Sequence, residues 1–390
     1  MIGQRVPMRF EFATATQIVF GAGTRAEVGK LVRPWGRRAL IVTGQSTDRA
    51  EALRETLRAA GVAAECFPVA GEPAVADIQR GVARAREFGA EMLLGFGGGG
   101  AIDAAKAIAG LLTNPGDPLD YLEVVGEGKP LTCPALPWMA IPTTAGTGAE
   151  VTRNAVLSVP ERNVKVSLRS PHLLARIALV DPELTLDLPP ALTASTGFDA
   201  LTQLLEAYVC SRTNPMTDAL CAAGLPRAAS ALPRAFRDGH DLAARTDMAL
   251  ASLWSGIALA NAGLGAVHGF AGAIGGRFSA PHGAVCAALL APVMAANLGA
   301  LRARAPQHPS LARYGDVARW LTGRAEATAD DGVVWVAAQH AAMALPKLAA
   351  LGVAASDFAE VMAQAQQASS MKANPVVLTA DELAAVLATA

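Results

Sequence analysis

The residues best suited to chemistry fall into two groups far apart in the chain. The first is the run GFGGGGAIDAAK at 95–106. Gly97, Gly98, Gly99 and Gly100 follow an apolar, strand-like segment that includes Leu93 and Leu94, while Ala101, Ala104 and Ala105 after them favour a helix. A strand-to-helix turn of this kind presents unpaired backbone N–H groups and the positive end of the helix dipole. Without side chains in the way, a phosphate can come within hydrogen-bonding distance. Gly95, Gly97 and Gly100 satisfy G-x-G-x-x-G, so the expected chemistry is pyrophosphate binding. The pattern does not follow the first strand of the chain, as a Rossmann fingerprint does, and close packing of helix on strand is the alternative use for such glycines. Asp103 and Lys106 add charge to the first turns of the helix, as ligand contacts or as solvated surface groups.

The second group is Asp199, Gln203 and Glu206, which share a helix with the apolar stripe Leu201, Leu204, Leu205 and Tyr208 and lie on the opposite face. Alone, such a face more often looks at solvent. Two histidines change its meaning. His268 and His282 lie in the stretch 248–301, whose only other acid or base is Arg277. A histidine in so apolar a segment needs a partner for its ring nitrogens: either a metal ion or a backbone carbonyl.

The elements that must position these groups are legible from periodicity. Short strands are expected at 10–13 and 17–20, a buried parallel-type strand at Arg38–Thr43, and an amphipathic helix at 46–60. A strand at 66–69, a helix at 74–88, and strands at 91–95 and 137–141 continue the alternation. The last of these runs into PTTAGTGAE at 142–150, a second small-residue turn able to close over the same ligand. Alternating β and α elements imply a parallel sheet covered on both faces, with ligands at the carboxyl ends of the strands. Beyond Pro182–Pro190 only helical periodicity survives. The expected organisation is therefore an α/β domain over 1–185 and an all-helical domain over 186–390. The apolar stretch 248–301 is long enough to cross a membrane, but its repeated glycines and missing aromatic or basic anchors indicate a buried pair of helices instead.

The totals narrow the partners. A chain of 390 residues is long for one core, and 52% hydrophobic against 17% charged residues describes a well-buried globular protein. With a net charge of −1 and no basic run, nothing marks the chain for nucleic acid or an anionic membrane, which leaves small molecules. The five cysteines are scattered, odd in number and without a C-x-x-C pair, a pattern of reduced thiols in the cytoplasm. Arg5, Arg9 and Glu11 interrupt any apolar core that a signal peptide would need.

Taken in order, GGGGAIDAAK at 97–106, PTTAGTGAEVT at 142–152, GFDALT at 197–202, VHG at 267–269 and PHG at 281–283 resemble the iron-containing (group III) alcohol dehydrogenases over nearly the whole chain. The resemblance implies a dehydroquinate synthase-like fold: a Rossmann-like dinucleotide-binding domain, then a helical metal-binding domain, usually in a homodimer. It implies hydride transfer between a small alcohol and a nicotinamide cofactor, with the substrate oxygen polarised by iron(II) or zinc(II). Carried over by position, Gly97 to Gly99 form the pyrophosphate loop, with Gly100 in place of the motif's usual serine. Asp103, Thr143, Thr144, Thr147 and Lys165 lie near the cofactor. Asp199, His268 and His282 hold the metal, with Gln203 where the family has a third histidine. An amide oxygen is a weaker donor than imidazole, so metal affinity is expected to fall. A further histidine that many members carry four residues after the VHG histidine is here Gly272. Phe198, Phe270 and Leu264 are the expected apolar walls of the cleft between domains, if they are not ordinary core.

Where an aspartate after the strand Ala39–Thr43 would exclude a 2′-phosphate, this chain has Gly44, with Gln45, Ser46 and Arg49 close by. The reading leans slightly to NADP and accepts NAD. Gln203 and Gly272 also fit a metal-independent reductase of the maleylacetate reductase type acting on an oxo-acid, with Lys372 as a carboxylate partner. A dehydroquinate synthase-like lyase lacks the basic cluster it would need here. A nucleotide-binding protein without activity is the remaining alternative.

Overall fold

The computed structural model describes residues 9–390 apart from 163 and 279; Arg5 of the N-terminal reading lies outside them. Six strands, β1 (Gln17–Phe20), β2 (Arg38–Thr43), β3 (Ala63–Pro68), β4 (Met92–Gly97), β5 (Trp138–Pro142) and β8 (Ile177–Val180), form one sheet in the order β1-β8-β5-β4-β2-β3. Every pairing in it is parallel. The central strands β2, β4 and β5 are buried almost throughout, as near-continuous apolar runs predict for a sheet covered on both faces. One face is covered by α1 (Val28–Val32) and α2 (Glu51–Ala59), the other by α3 (Val75–Phe88) and α4 (Gly99–Thr113).

No strand forms at 10–13. Both backbone groups of Ala13 are bound instead by the side chain of Asn261, at 2.7 and 2.8 Å, so a contact 248 residues away holds the segment. A hairpin not anticipated from sequence, β6 (Asn154–Val159) with β7 (Val164–Arg169), stands apart from the main sheet. Its Ala155, Leu157 and Val159 alternate inward onto the core that includes α4. Asp103 and Lys106 fasten the two together and are not solvated. The Asp103 carboxylate accepts from the Val156 N–H at 3.0 Å. The buried Lys106 ammonium reaches Ala149 O at 3.0 Å, Thr152 Oγ1 at 3.0 Å, Asn154 O at 2.6 Å and Asp103 at 3.2 Å. Burial pushes the Asp103 carboxyl up and the Lys106 ammonium down, against their mutual attraction.

Glu150, buried beside this cluster, is pushed up to about 7 by burial, which outweighs its own backbone N–H and the charge of Lys106. A carboxyl raised on folding makes the native state bind the extra proton, so it lowers stability as pH rises between its unfolded and folded values. Thermal melts should show the wild type losing on the order of 3 kcal/mol from this group between pH 4.5 and pH 7. Glu150→Gln should remove that component. Equal pH slopes in the two proteins would mean that Glu150 ionises as freely in the fold as outside it.

From Pro190 onward all regular elements among the described residues are helices. α6 (Pro190–Val209) runs through their centre, packed by α7 (Pro215–Arg237), α8 (Leu242–Asn261) and α10 (His282–Arg304), and α9 (Ala266–Arg277), which follows α8 in the chain, packs on α10. The stretch 248–301 thus contributes three helices and not two, because the chain turns by 95° between α8 and α9 and breaks again before Pro281. α10 is long and apolar enough to span a membrane, yet 72% of its most apolar window is buried inside the protein. Ala249, Leu253 and Ile257 of α8 pack into the sheet-side core, so the two halves share apolar contacts.

Candidate active site

From β2 the chain passes to β3 on one side, and from β4 to β5 on the other, so the carboxyl ends of the adjacent strands β2 and β4 diverge at a switch point. Open α/β sheets bind ligands in that crevice. A cleft of about 520 Å³ begins there, at Gly44, Gln45, Ser46 and Arg49, and passes over Gly97 to Gly100 and over Thr143, Thr144 and Thr147. It ends at Ser195, Thr196, Asp199 and His282, on the helical side. Its apolar walls are Val69, Phe96, Leu188 and Leu192. Phe198 and Phe270, expected there, are wholly buried in the helical core, and Leu264 does not line the cleft.

The glycine run divides differently from its appearance in sequence. Gly97 closes β4, Gly98 is the extended residue before the helix, and Gly99 and Gly100 already belong to α4. The first N–H groups of α4 have no carbonyl inside the helix to bond, and the glycines that carry them line the cleft. The second loop is tied to the first by the Thr143 N–H, which donates to Gly97 O at 2.9 Å. At Gly100 a Cβ would lie 2.2 Å from Gly71 O, which explains glycine in place of serine. Gly100→Ser should therefore push the 71–72 loop into the cleft and weaken nucleotide binding by about tenfold, read as Kd by cofactor fluorescence. Unchanged affinity would show that the loop yields freely.

Asp103, occupied with Val156 and Lys106, does not line the cleft. Lys165 pairs with Glu72, which does, and lies against the backbone of Gly275.

At the helical end, Asp199 and Gln203 of α6, His268 of α9 and His282 of α10 come together, although their face of α6 is buried and does not look at solvent. The Asp199 Oδ1 lies 3.4 Å from His268 Nε2 and 3.6 Å from His282 Nε2. Glu206, two helical turns beyond Asp199, accepts from His268 Nδ1 at 2.7 Å, which turns Nε2 of that ring inward. Gln203 donates from Nε2 to Asp199 Oδ1 at 3.2 Å, and its Oε1 accepts from Ser255 Oγ at 2.7 Å.

A fifth group, unforeseen from sequence, is Cys286 of α10. Its sulfur lies 3.6 Å from His282 Nε2 and 3.9 Å from His268 Nε2. The signal was available: Cys286 follows His282 by one helical turn, which places both on one face.

The electrostatics of the group are mutual. Burial alone would raise the Asp199 carboxyl, but His282 and His268 hold it below its ordinary value. Burial would likewise raise the Cys286 thiol, and the same two rings pull it down. His282 is raised to about 9, chiefly by Cys286, against burial and with help from Asp199. A carboxylate oxygen, two imidazole nitrogens and a thiol sulfur, all within 4.8 Å of one another, are the donor chemistry of a divalent transition metal, and the residues present fit one. At Gly272, the position where the resemblance would have placed a histidine, a Cβ would meet nothing within 4 Å.

A family model described as iron-containing alcohol dehydrogenase matches residues 15–182, and one described as the Fe-containing alcohol dehydrogenase family, C-terminal, matches 193–390. Alcohol dehydrogenase 4 of Saccharomyces cerevisiae is 37% identical over 316 residues, 81% of this chain and 80% of that protein. The NAD-dependent methanol dehydrogenase of Bacillus methanolicus is 34% identical over 376 residues, 95% of this chain and 96% of that protein. A crystal structure of 1,3-propanediol oxidoreductase superposes with a TM-score of 0.90 at 31% identity, covering 98% of this chain and 99% of that one. The chain belongs to the iron-containing alcohol dehydrogenase family.

Proposed function

We propose that this protein interconverts a small alcohol and its aldehyde or ketone with a nicotinamide dinucleotide, using a divalent metal held by Asp199, His268 and His282. The observation that carries the reading is the continuity of one cleft from Gly44 and Gly97–Gly100 to Asp199 and His282, which lets a dinucleotide and a substrate oxygen meet. When bound, the metal supplies Lewis-acid polarisation of that oxygen, and the nicotinamide exchanges the hydride. The chain's own residues do the rest. The amino end of α4 and the hydroxyls of Thr143, Thr144 and Thr147 hold the pyrophosphate and fix the ring's reach. Val69, Phe96, Leu188 and Leu192 keep water from the cleft. Glu206 holds the tautomer of His268.

For the nucleotide we infer a slight preference for NADP. Gly44, Gln45 and Ser46 bring no carboxylate to that end of the cleft. Arg49 stands beside it, exposed, with one N–H on Leu184 O at 2.9 Å.

The test is reduction of a short-aldehyde panel with NADH and NADPH, before and after chelation and after metal restoration, with metal content measured in parallel. Activity lost on chelation and recovered with zinc(II) or iron(II) is the expected result. Turnover of oxo-acids by metal-free protein would overturn it in favour of a metal-independent reductase.

A further inference from the structure

We infer that Cys286, and not Gln203, is the fourth protein donor to the metal, giving a set of one carboxylate, two imidazoles and one thiolate suited to zinc(II). The inference rests on the metal reading above and concerns which side chains complete the site.

Geometry favours the sulfur. Four donors around zinc, at the usual bond lengths to oxygen, nitrogen and sulfur, stand roughly 3.3–3.6 Å apart in a tetrahedral set. The separations Asp199–His268, Asp199–His282, Cys286–His282 and Cys286–His268 are 3.4, 3.6, 3.6 and 3.9 Å, and all four donor atoms lie within 4.8 Å of one another. Cys286 is fully buried, and its sulfur points at the two rings. His282 and Cys286 rise from successive turns of α10, so one rigid helix fixes both.

Gln203 is turned the other way. Its amide end facing the cluster meets two acceptors, the Asp199 carboxylate at 3.2 Å and the Thr147 carbonyl at 3.4 Å. Two acceptors demand the NH₂ on that side, which leaves the carbonyl oxygen on Ser255 at 2.7 Å, away from the metal position. Gln203 is thus a positioning residue that steadies Asp199. A thiolate also shifts the set towards softer ions, for which zinc(II) is better suited than iron(II). Asp199 and His282 border the cleft while Cys286 and His268 lie behind them, so a substrate oxygen approaches from the cleft side.

Cobalt(II) reports the ligand directly, because a coordinated thiolate gives an intense sulfur-to-cobalt charge-transfer band in the near ultraviolet. Full-length protein stripped of metal and loaded anaerobically with one equivalent of cobalt(II) should show that band. Cys286→Ser should lose it and weaken zinc binding, in chelator competition, by more than about 100-fold. Gln203→Ala should keep the band and lose about 10-fold, the effect of a group that orients a ligand. Wild-type protein that binds cobalt(II) without the band overturns the assignment while leaving the metal reading intact, and needs no variant to fold. Loss of binding in Gln203→Ala but not in Cys286→Ser overturns it in favour of the amide. Protein that binds neither cobalt(II) nor zinc(II) overturns both readings together.

Discussion

Asp199→Asn should lower kcat/KM for aldehyde reduction by at least about 10³-fold, with the metal lost from the purified protein. Asp199 has only 2% of its surface exposed and is held on three sides, by Gln203, His268 and His282. It is the carboxylate on which both rings converge, and it borders the cleft where substrate must sit. Asparagine keeps the size and one acceptor but removes the charge, in a position where few water molecules can replace it. The surrounding helix is buried almost throughout and packs its apolar face into the helical core, so the fold should survive, with a melting temperature within a few degrees of wild type. Steady-state kinetics, metal analysis and a thermal melt on the same preparation make the check. An Asp199→Asn enzyme retaining more than a tenth of wild-type kcat/KM would remove Asp199 from the chemistry. A collapsed melt with apparent inactivity would instead assign it to the fold.

Much of the sheet and its ligand end was legible because two short-range signals agree there. The apolar run Ala39–Val42 has the texture of a doubly covered strand, and the break into glycine at the end of β4 is chemically conspicuous. What escaped depends on contacts distant in sequence. The segment 10–13 is polar and apolar in the right alternation for a strand, yet Asn261 takes its backbone. Asp103 and Lys106 read as charges at a ligand-binding helix, and only the position of the β6–β7 hairpin reveals that they are used to tie it down. At the metal end, the polar triad of α6 was readable as a face but not as a buried one, because burial comes from α8, α9 and α10 closing over it. Cys286 was missed for a simpler reason. Attention to cysteines as pairs, C-x-x-C or disulfide, overlooks a single cysteine at i+4 from a histidine, although helical spacing makes the two neighbours.

Glu206 shows how such a buried face becomes functional without touching substrate. Its two carboxylate oxygens serve two different tasks: Oε1 accepts from the Val267 N–H at 2.7 Å, at the start of α9, and Oε2 accepts from His268 Nδ1 at 2.7 Å. The first anchors the amino end of a helix and the second orients a ring carried by that helix. The approach is so close that a Cβ on Gly265 would stand 2.7 Å from Oε1, so a larger residue there would displace the carboxylate. Glu206→Ala leaves buried donors unpaired and should cost about 3 kcal/mol in chemical denaturation, with metal affinity down 10- to 100-fold. Glu206→Gln separates the two tasks, because an amide has one acceptor oxygen where the carboxylate has two. If that oxygen stays on Val267, the fold recovers most of its stability while His268 loses its partner and metal affinity stays low. A glutamine variant matching wild type in both stability and zinc affinity would show that the ring is oriented by packing alone. A variant that regains affinity but not stability would show that the helix anchor, and not the imidazole, is what Glu206 chiefly provides.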